Sequence, residues 1–241
     1  MENFLEQIKS NAENLVKNVF PQKILELDDL IKTDQLKIEN MSKILDAINL
    51  PSKEDFVKNS ITENDTKLEK RNPDLTNQEK EIVGKSIIWL ENDLIQTNQK
   101  LIELLKIIKP FIIHFLDSLA LIKLWIRILI PQVEDFKTEL SLQVQLDSLE
   151  EIKIIETEVA GYTDRIYTYN TTRGRFASKL AKYPHVNDFR ESICEIDEEM
   201  FLAARSYAMK LRNHYIIVHD ILMKNLEKIK SSKTNYEISM Y

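Results

Sequence analysis

Apolar residues recur along this chain at alternating steps of three and four, the spacing that keeps them on one face of an α-helix. The pattern is clearest toward the end, where Phe189, Ile193, Ile196, Met200, Ala203, Tyr207, Leu211, His214, Val218, Leu222, Asn225 and Ile229 form one stripe. Asn187 or Asp188 supplies an N-cap, with Arg190 and Glu191 in the first turn. This helix is expected to end near Lys230, where Ser231 and Ser232 open a polar tail, 231–241, closing on Ile238, Ser239, Met240 and Tyr241. Before it, the loop Tyr183-Pro184-His185-Val186-Asn187 turns the chain. A helix from about Leu140 to Ala181 carries the stripe Leu146, Leu149, Ile152, Val159, Tyr162, Ile166 and Tyr169, and Thr171 to Gly174 is expected to weaken it locally.

Another helix is predicted to begin between Leu75 and Asn98 and to run to Leu129, where Pro131 ends it. Pro110 lies inside it and should bend it or remove one backbone hydrogen bond. The first segment, Glu2 to about Lys32, repeats Phe4, Ile8, Leu15, Val19, Ile24, Leu27, Leu30 and Ile31 at helical spacing, with Pro21 as a kink or short break. Residues 33–77 are thin in apolar side chains and rich in Asn, Ser, Thr, Asp and Lys around Pro51 and Pro73. They are read as a flexible linker, because little apolar area is on offer to offset ordering entropy. The expected fold is all-α: one domain over 1–241, an elongated antiparallel four-helix bundle. At ~1.5 Å per residue, a helix of roughly forty residues is ~60 Å long.

One helix exceeds what a solitary bundle needs. Between Leu101 and Ile130 it is apolar over much of its circumference, as in Ile107-Ile108, Phe111-Ile112-Ile113 and Leu124-Trp125-Ile126. A helix that is greasy on several sides must be covered on several sides, so association with further copies is expected. The same stretch is not a membrane span. Glu103, Lys106, Lys109, Asp117, Lys123 and Arg127 interrupt it before the roughly 18 apolar residues that crossing requires.

Composition narrows the class. Only 3 Gly in 241 residues is hard to reconcile with a sheet-rich fold, whose turns draw on residues tolerant of positive φ. A net charge of -6 argues against a general nucleic-acid binder, which needs a basic face. The single Cys194 excludes an intrachain disulfide framework and the Cys-rich zinc patterns. No secretory apolar segment follows Met1, so an intracellular protein is expected, in nucleus or cytoplasm.

Candidate chemistry is sparse. His214 and His219 are five apart, whereas one helix face presents metal ligands at i,i+4, and His114 and His185 stand alone. They read as packing or surface histidines, and no metal or cofactor is expected. Asp197-Glu198-Glu199 and Glu150-Glu151 are sequence neighbours that do not share a helix face, so they read as solvated charge rather than acid/base pairs. Thr172-Arg173-Gly174-Arg175 reads as a bend, Cys194 as a buried or boundary thiol, and Trp89 and Trp125 as packing residues. No phosphate-binding glycine loop and no nucleophile motif is present. The chain is read as a non-enzyme.

Two features stand apart from the bundle pattern: the turn Ile130-Pro131-Gln132-Val133-Glu134-Asp135-Phe136-Lys137 between two long helices, and the apolar-tipped C-terminus. With the helix that starts at Asn187, they resemble the 11S regulator (REG) family of proteasome activators. The match begins at Phe20-Pro21-Gln22-Lys23-Ile24-Leu25-Glu26-Leu27-Asp28. It resumes at Leu104-Leu105-Lys106-Ile107-Ile108-Lys109-Pro110 and reaches Trp125 and Ile130-Pro131-Gln132-Val133-Glu134-Asp135. It is strongest over Pro184-His185-Val186-Asn187-Asp188-Phe189-Arg190, Glu195-Ile196-Asp197-Glu198 and Leu211-Arg212-Asn213. It closes over Asp220-Ile221-Leu222-Met223-Lys224-Asn225-Leu226-Glu227-Lys228.

The resemblance implies a subunit of a heptameric ring of four-helix bundles that sits on the 20S proteasome and opens its axial channel to peptides without ATP. It implies an activation loop of Pro131, Gln132, Val133, Glu134, Asp135, Phe136, Lys137, Thr138, Glu139 and Leu140. It implies a docking tail of Ile238, Ser239, Met240 and Tyr241 for pockets between outer-ring proteasome subunits. Lys182 matches a position in the family that influences which peptidase activities are stimulated. The sequence departs from the family where Phe136-Lys137-Thr138-Glu139-Leu140 replaces Gly-Asn-Asn-Phe-Gly, which removes easy access to positive φ. The alternative is therefore an oligomeric helical adaptor or proteasome cap that binds without opening the gate.

Overall fold

The computed structural model of the chain describes residues 2–45, 50, 95–130 and 139–237. Among the described residues all regular structure is helical. In order these are α1 (Glu2–Asn14), a π-helical turn (Leu15–Val19), α2 (Phe20–Lys32), two 3₁₀ turns (Asp34–Leu36 and Ile38–Asn40) and α3 (Met41–Leu45). Then come three long helices, α4 (Gln99–Leu129), α5 (Glu139–Lys182) and α6 (Asn187–Glu237). The all-α class expected from the three-and-four spacing is the class observed. Among the described residues no helix is long and apolar enough to cross a membrane.

The chain forms two compact units, one of residues 1–40, 103–167 and 201–241, the other of residues 41–102 and 168–200. In the first, contact registers show how neighbouring helices run. Phe20 meets Phe115 while Lys23 lies over Phe111, so α2 and α4 are antiparallel. Glu13 pairs with Lys230 at 2.8 Å and Asp28 with Arg212 at 2.7 Å, so the α1–α2 run is antiparallel to α6. Gln145 donates to the Ile229 carbonyl at 2.8 Å and Tyr162 stacks on Tyr207 at 4.3 Å, so α5 and α6 are antiparallel too. Lys123 and Glu156 join α4 to α5. The centre is an aromatic knot in which Phe115 and Phe20 approach Tyr215 edge-on at 4.4 and 4.9 Å. All three rings are withdrawn from water; such pairs add about 0.5–1.5 kcal/mol each beyond area burial.

The second unit centres on the α5–α6 turn. Tyr183 N–H donates to the Lys179 carbonyl at 2.8 Å and Val186 N–H to the Tyr183 carbonyl at 3.1 Å, closing the turn around Pro184. Inside, Asp197 of α6 accepts from Arg173 Nε at 2.9 Å and from the Tyr169 hydroxyl at 2.8 Å. Arg173 reaches on to the Gln96 carbonyl at 3.0 Å, holding the residues that lead into α4. Asn98 caps α4 by accepting from the Leu101 N–H at 3.1 Å. Lys100 donates to the Lys43 carbonyl at 2.8 Å.

Several expectations are corrected. α6 continues to Glu237 rather than ending near Lys230, because 231–237 contains neither Pro nor Gly to stop the hydrogen-bond ladder. The first residues of the expected linker take helical turns, and Leu36 is fully buried; residues 46–49 and 51–94 lie outside the described set. The three-and-four stripe misplaces the buried face of the first turns of α5: Leu146 is 46% exposed, while Gln145 and Ser148 are buried. Asp197 is not solvated but 0% exposed. Pro110 and the stretch Thr171 to Gly174 lie inside helices that run on without interruption. Pro21 is preceded by the π turn, where the Phe20 N–H donates to the Leu15 carbonyl. That wider turn accommodates a proline that cannot donate and whose ring crowds the preceding turn.

Candidate functional site

Residues 131–138 lie outside the described residues, so of the expected activation loop Pro131, Gln132, Val133, Glu134, Asp135, Phe136, Lys137 and Thr138 are not described. Both flanks are. α4 ends at Leu129, with the Ile130 N–H bonded to the Arg127 carbonyl at 3.3 Å, and α5 begins at Glu139. Glu139 and Leu140 therefore belong to the first turn of a helix rather than to the loop. Ile238, Ser239, Met240 and Tyr241 also lie outside the described residues, and the helix that leads to them ends at Glu237.

Lys182 closes α5, and its ammonium lies 5.2 Å from the Tyr183 ring centroid. One turn earlier Lys179 spans the rings of Phe176 and Phe189, at 5.6 and 5.5 Å. Each such contact is worth about 0.5–1 kcal/mol at an exposed site. Lys182 is thus part of a cation–aromatic cluster that braces the α5–α6 turn.

Of the histidines read as packing or surface residues, His114 and His214 pack and His185 is exposed. His114 Nδ1 is 2.9 Å from the Tyr215 hydroxyl, and His214 Nε2 is 3.4 Å from both the Tyr162 hydroxyl and the Glu158 carboxylate. Burial lowers the pKa of both rings. Burial raises the Cys194 thiol, which disfavours the nucleophilic thiolate. Among the described residues no group of three or more His, Cys, Asp or Glu side chains is placed to hold a metal.

What the first unit does present is apolar surface. α4 buries Leu101, Leu105, Ile108, Ile112, Phe115 and Ile122, yet leaves Ile113 55% and Leu124 44% exposed. Leu116, Leu121 and Ile128 are half-buried. On α6 Ile216, Ile217 and Met223 are exposed as well. Apolar side chains around α4 are covered on one side and open on the other, in keeping with the excess read from its sequence.

Comparison with known proteins adds the context this geometry lacks. The family model described as Proteasome activator PA28, C-terminal, matches residues 94–239, and that described as Proteasome activator PA28, N-terminal, matches residues 1–54. The chain is 34% identical over 242 residues to Proteasome activator complex subunit 3 of Homo sapiens, covering 100% of this chain and 94% of that protein. It is 28% identical over 241 residues to subunit 2 of the same complex in Homo sapiens, covering 100% and 93%. Its fold matches the crystal structure of PA28, the 11S subunit of the Plasmodium falciparum proteasome, with a TM-score of 0.72 at 22% identity, over 96% of this chain and 93% of that one.

Proposed function

The chain belongs to the PA28 family of proteasome activators, and from that membership we propose that it is an ATP-independent activator of the 20S proteasome. Copies associate into a ring, with seven as the expected number, through apolar surface such as Ile113 and Leu124. The tail Ile238-Ser239-Met240-Tyr241 docks between outer-ring proteasome subunits, and the segment that starts at Pro131 acts on the gate through Glu134 and Asp135. Peptides then pass the open channel; the chain itself catalyses nothing.

The observation that carries this reading is the match to a proteasome activator subunit along the whole chain and 94% of the relative. Physics suits it. Several weak tails on one ring gain effective concentration from one another, so each can be feeble alone. A gate responds only to a partner that binds its open state better, which gives a loop between two rigid helices its task.

The test is hydrolysis of a fluorogenic peptide by cognate 20S proteasome, without ATP, with and without the purified chain. Stimulation is expected, and removal of Met240-Tyr241 is expected to abolish it while native mass measurement still finds the assembled ring. If confirmed rings co-sediment with the proteasome without stimulating hydrolysis, the protein is a cap or adaptor instead.

A further inference from the structure

We infer that the cleft between α4 and α5 in the first unit binds the free C-terminus of a peptide that ends in an apolar residue. The cleft has a volume of about 340 Å³ and is lined by Lys123, Arg127, Leu149, Glu150, Lys153 and Glu156. That volume stands at the low end for ligand clefts, enough for a residue or two rather than a long segment.

Charge and shape together select the ligand. Three cations face two carboxylates, which leaves one positive charge. Lys123 is already paired with Glu156. Arg127, from α4, and Lys153, from α5, are exposed and make no ion pair among the described residues. A guanidinium fork receives a carboxylate through two parallel N–H···O bonds, and an ammonium beside it adds a second charged donor. Leu149, half-buried, and the methylene stems of Lys123, Arg127 and Lys153 give the cleft apolar surface next to those charges.

The complement of such a lining is one negative charge on an apolar body. The last residue of a peptide has that form, its carboxylate between Arg127 and Lys153 and its side chain against Leu149. The preceding N–H is then within the class of donors that Glu150 accepts. A polyanion is a poorer match, because Glu150 and Glu156 oppose its additional charges. The inference does not rest on proteasome activation, since binding is measured on the chain alone.

The test uses the full-length protein and a short peptide ending in leucine, labelled at its N-terminus, in fluorescence anisotropy. The free acid is expected to bind, and its C-terminal amide about tenfold or more weaker, as loss of a hydrogen bond to a charged group entails. The double variant Arg127→Ala/Lys153→Ala should lose the difference between acid and amide, whereas Leu149→Ala should weaken both peptides alike. Circular dichroism and native mass spectrometry establish that each variant folds and assembles as wild type does; both charged positions are exposed, so they should. Equal binding of acid and amide overturns the proposal. So does no binding of the acid by wild type, undiminished discrimination in the double variant, or displacement by pyrophosphate at lower concentration than by unlabelled peptide.

Discussion

Arg173 and Asp197 meet at 2.9 Å in the interior of the second unit, with side-chain exposures of 6% and 0%. A buried ion pair is weak evidence of net stability, because desolvation offsets much of its attraction, but breaking one half strands a charge. Asp197→Ala or Arg173→Met should therefore destabilise the protein by about 3–5 kcal/mol. The joint apolar replacement Arg173→Met/Asp197→Leu should recover most of that loss. Urea unfolding followed by circular dichroism measures all three; a double variant no more stable than the single ones would show that the pair contributes beyond mutual neutralisation.

Stability should also fall on mild acidification. Burial holds His114 and His214 below the ordinary 6.5, against a weaker upward pull from Glu158 on His214. A ring with a depressed folded pKa binds fewer protons folded than unfolded, so stability rises with pH across that interval. The contribution is full above 6.5 and is lost as pH falls from there through the folded values. Melting temperature should drop between about pH 7 and 5, and His214→Gln should flatten part of that slope. A slope unchanged in His114→Gln/His214→Gln would overturn the assignment to these rings; Glu158, whose carboxyl is held below the ordinary 4.5 mainly through Lys210, gives up its contribution only at lower pH.

Which parts were legible in the sequence follows from the kind of interaction that fixes them. Helical spacing located α5 to within a residue at each end, because a long amphipathic stripe reports its own period. It fails at Gln145, Ser148 and Asp197: a polar side chain enters the core once a partner satisfies it, and for Ser148 that partner is the Val144 carbonyl one turn back. Gln145 has the Ile229 carbonyl, and Asp197 has Tyr169 and Arg173. Hydropathy carries no trace of those partners. The stripe on α6 is also one position off in places: Asp197, Ala204 and Tyr215 are fully buried where the spacing predicts Ile196, Ala203 and His214. The loop from Pro131 and the tail to Tyr241 have no periodicity to read. Their place outside the bundle pattern marks them, and only the family resemblance gives them roles.

The exposed apolar positions of α4 give a prediction about assembly. Ile113→Glu and Leu124→Glu change residues that are 55% and 44% exposed, so each should alter unfolding of a single copy by roughly 0.5 kcal/mol or less. In the proposed ring, a carboxylate on a covered apolar face would be desolvated without a partner, which is far more costly. Native mass spectrometry should therefore find the single chain in place of the ring, with helical content unchanged. Intact rings from both variants would place the contact between copies elsewhere on the surface, with Ile216, Ile217 and Met223 of α6 next in order.

Docking and gate opening should separate by mutation. The tail is tethered beyond Glu237 of α6, while Glu134 and Asp135 lie between Ile130 and the first turn of α5 at Glu139. Under the proposed function the segment between α4 and α5 acts on the gate after the tail has docked, so its carboxylates are expected to affect opening more than affinity. Glu134→Ala and Asp135→Ala should each lower peptide-hydrolysis stimulation by roughly tenfold, equivalent to about 1.4 kcal/mol of lost preference for the open gate, while leaving proteasome affinity within about twofold. Deletion of Met240-Tyr241 should do the reverse at limiting concentration, removing affinity first. Surface binding of immobilised proteasome measures one quantity and fluorogenic-peptide turnover at saturating activator the other. If the loop variants lose affinity and stimulation in equal proportion, Glu134 and Asp135 are docking contacts, and opening must be driven from another part of the ring.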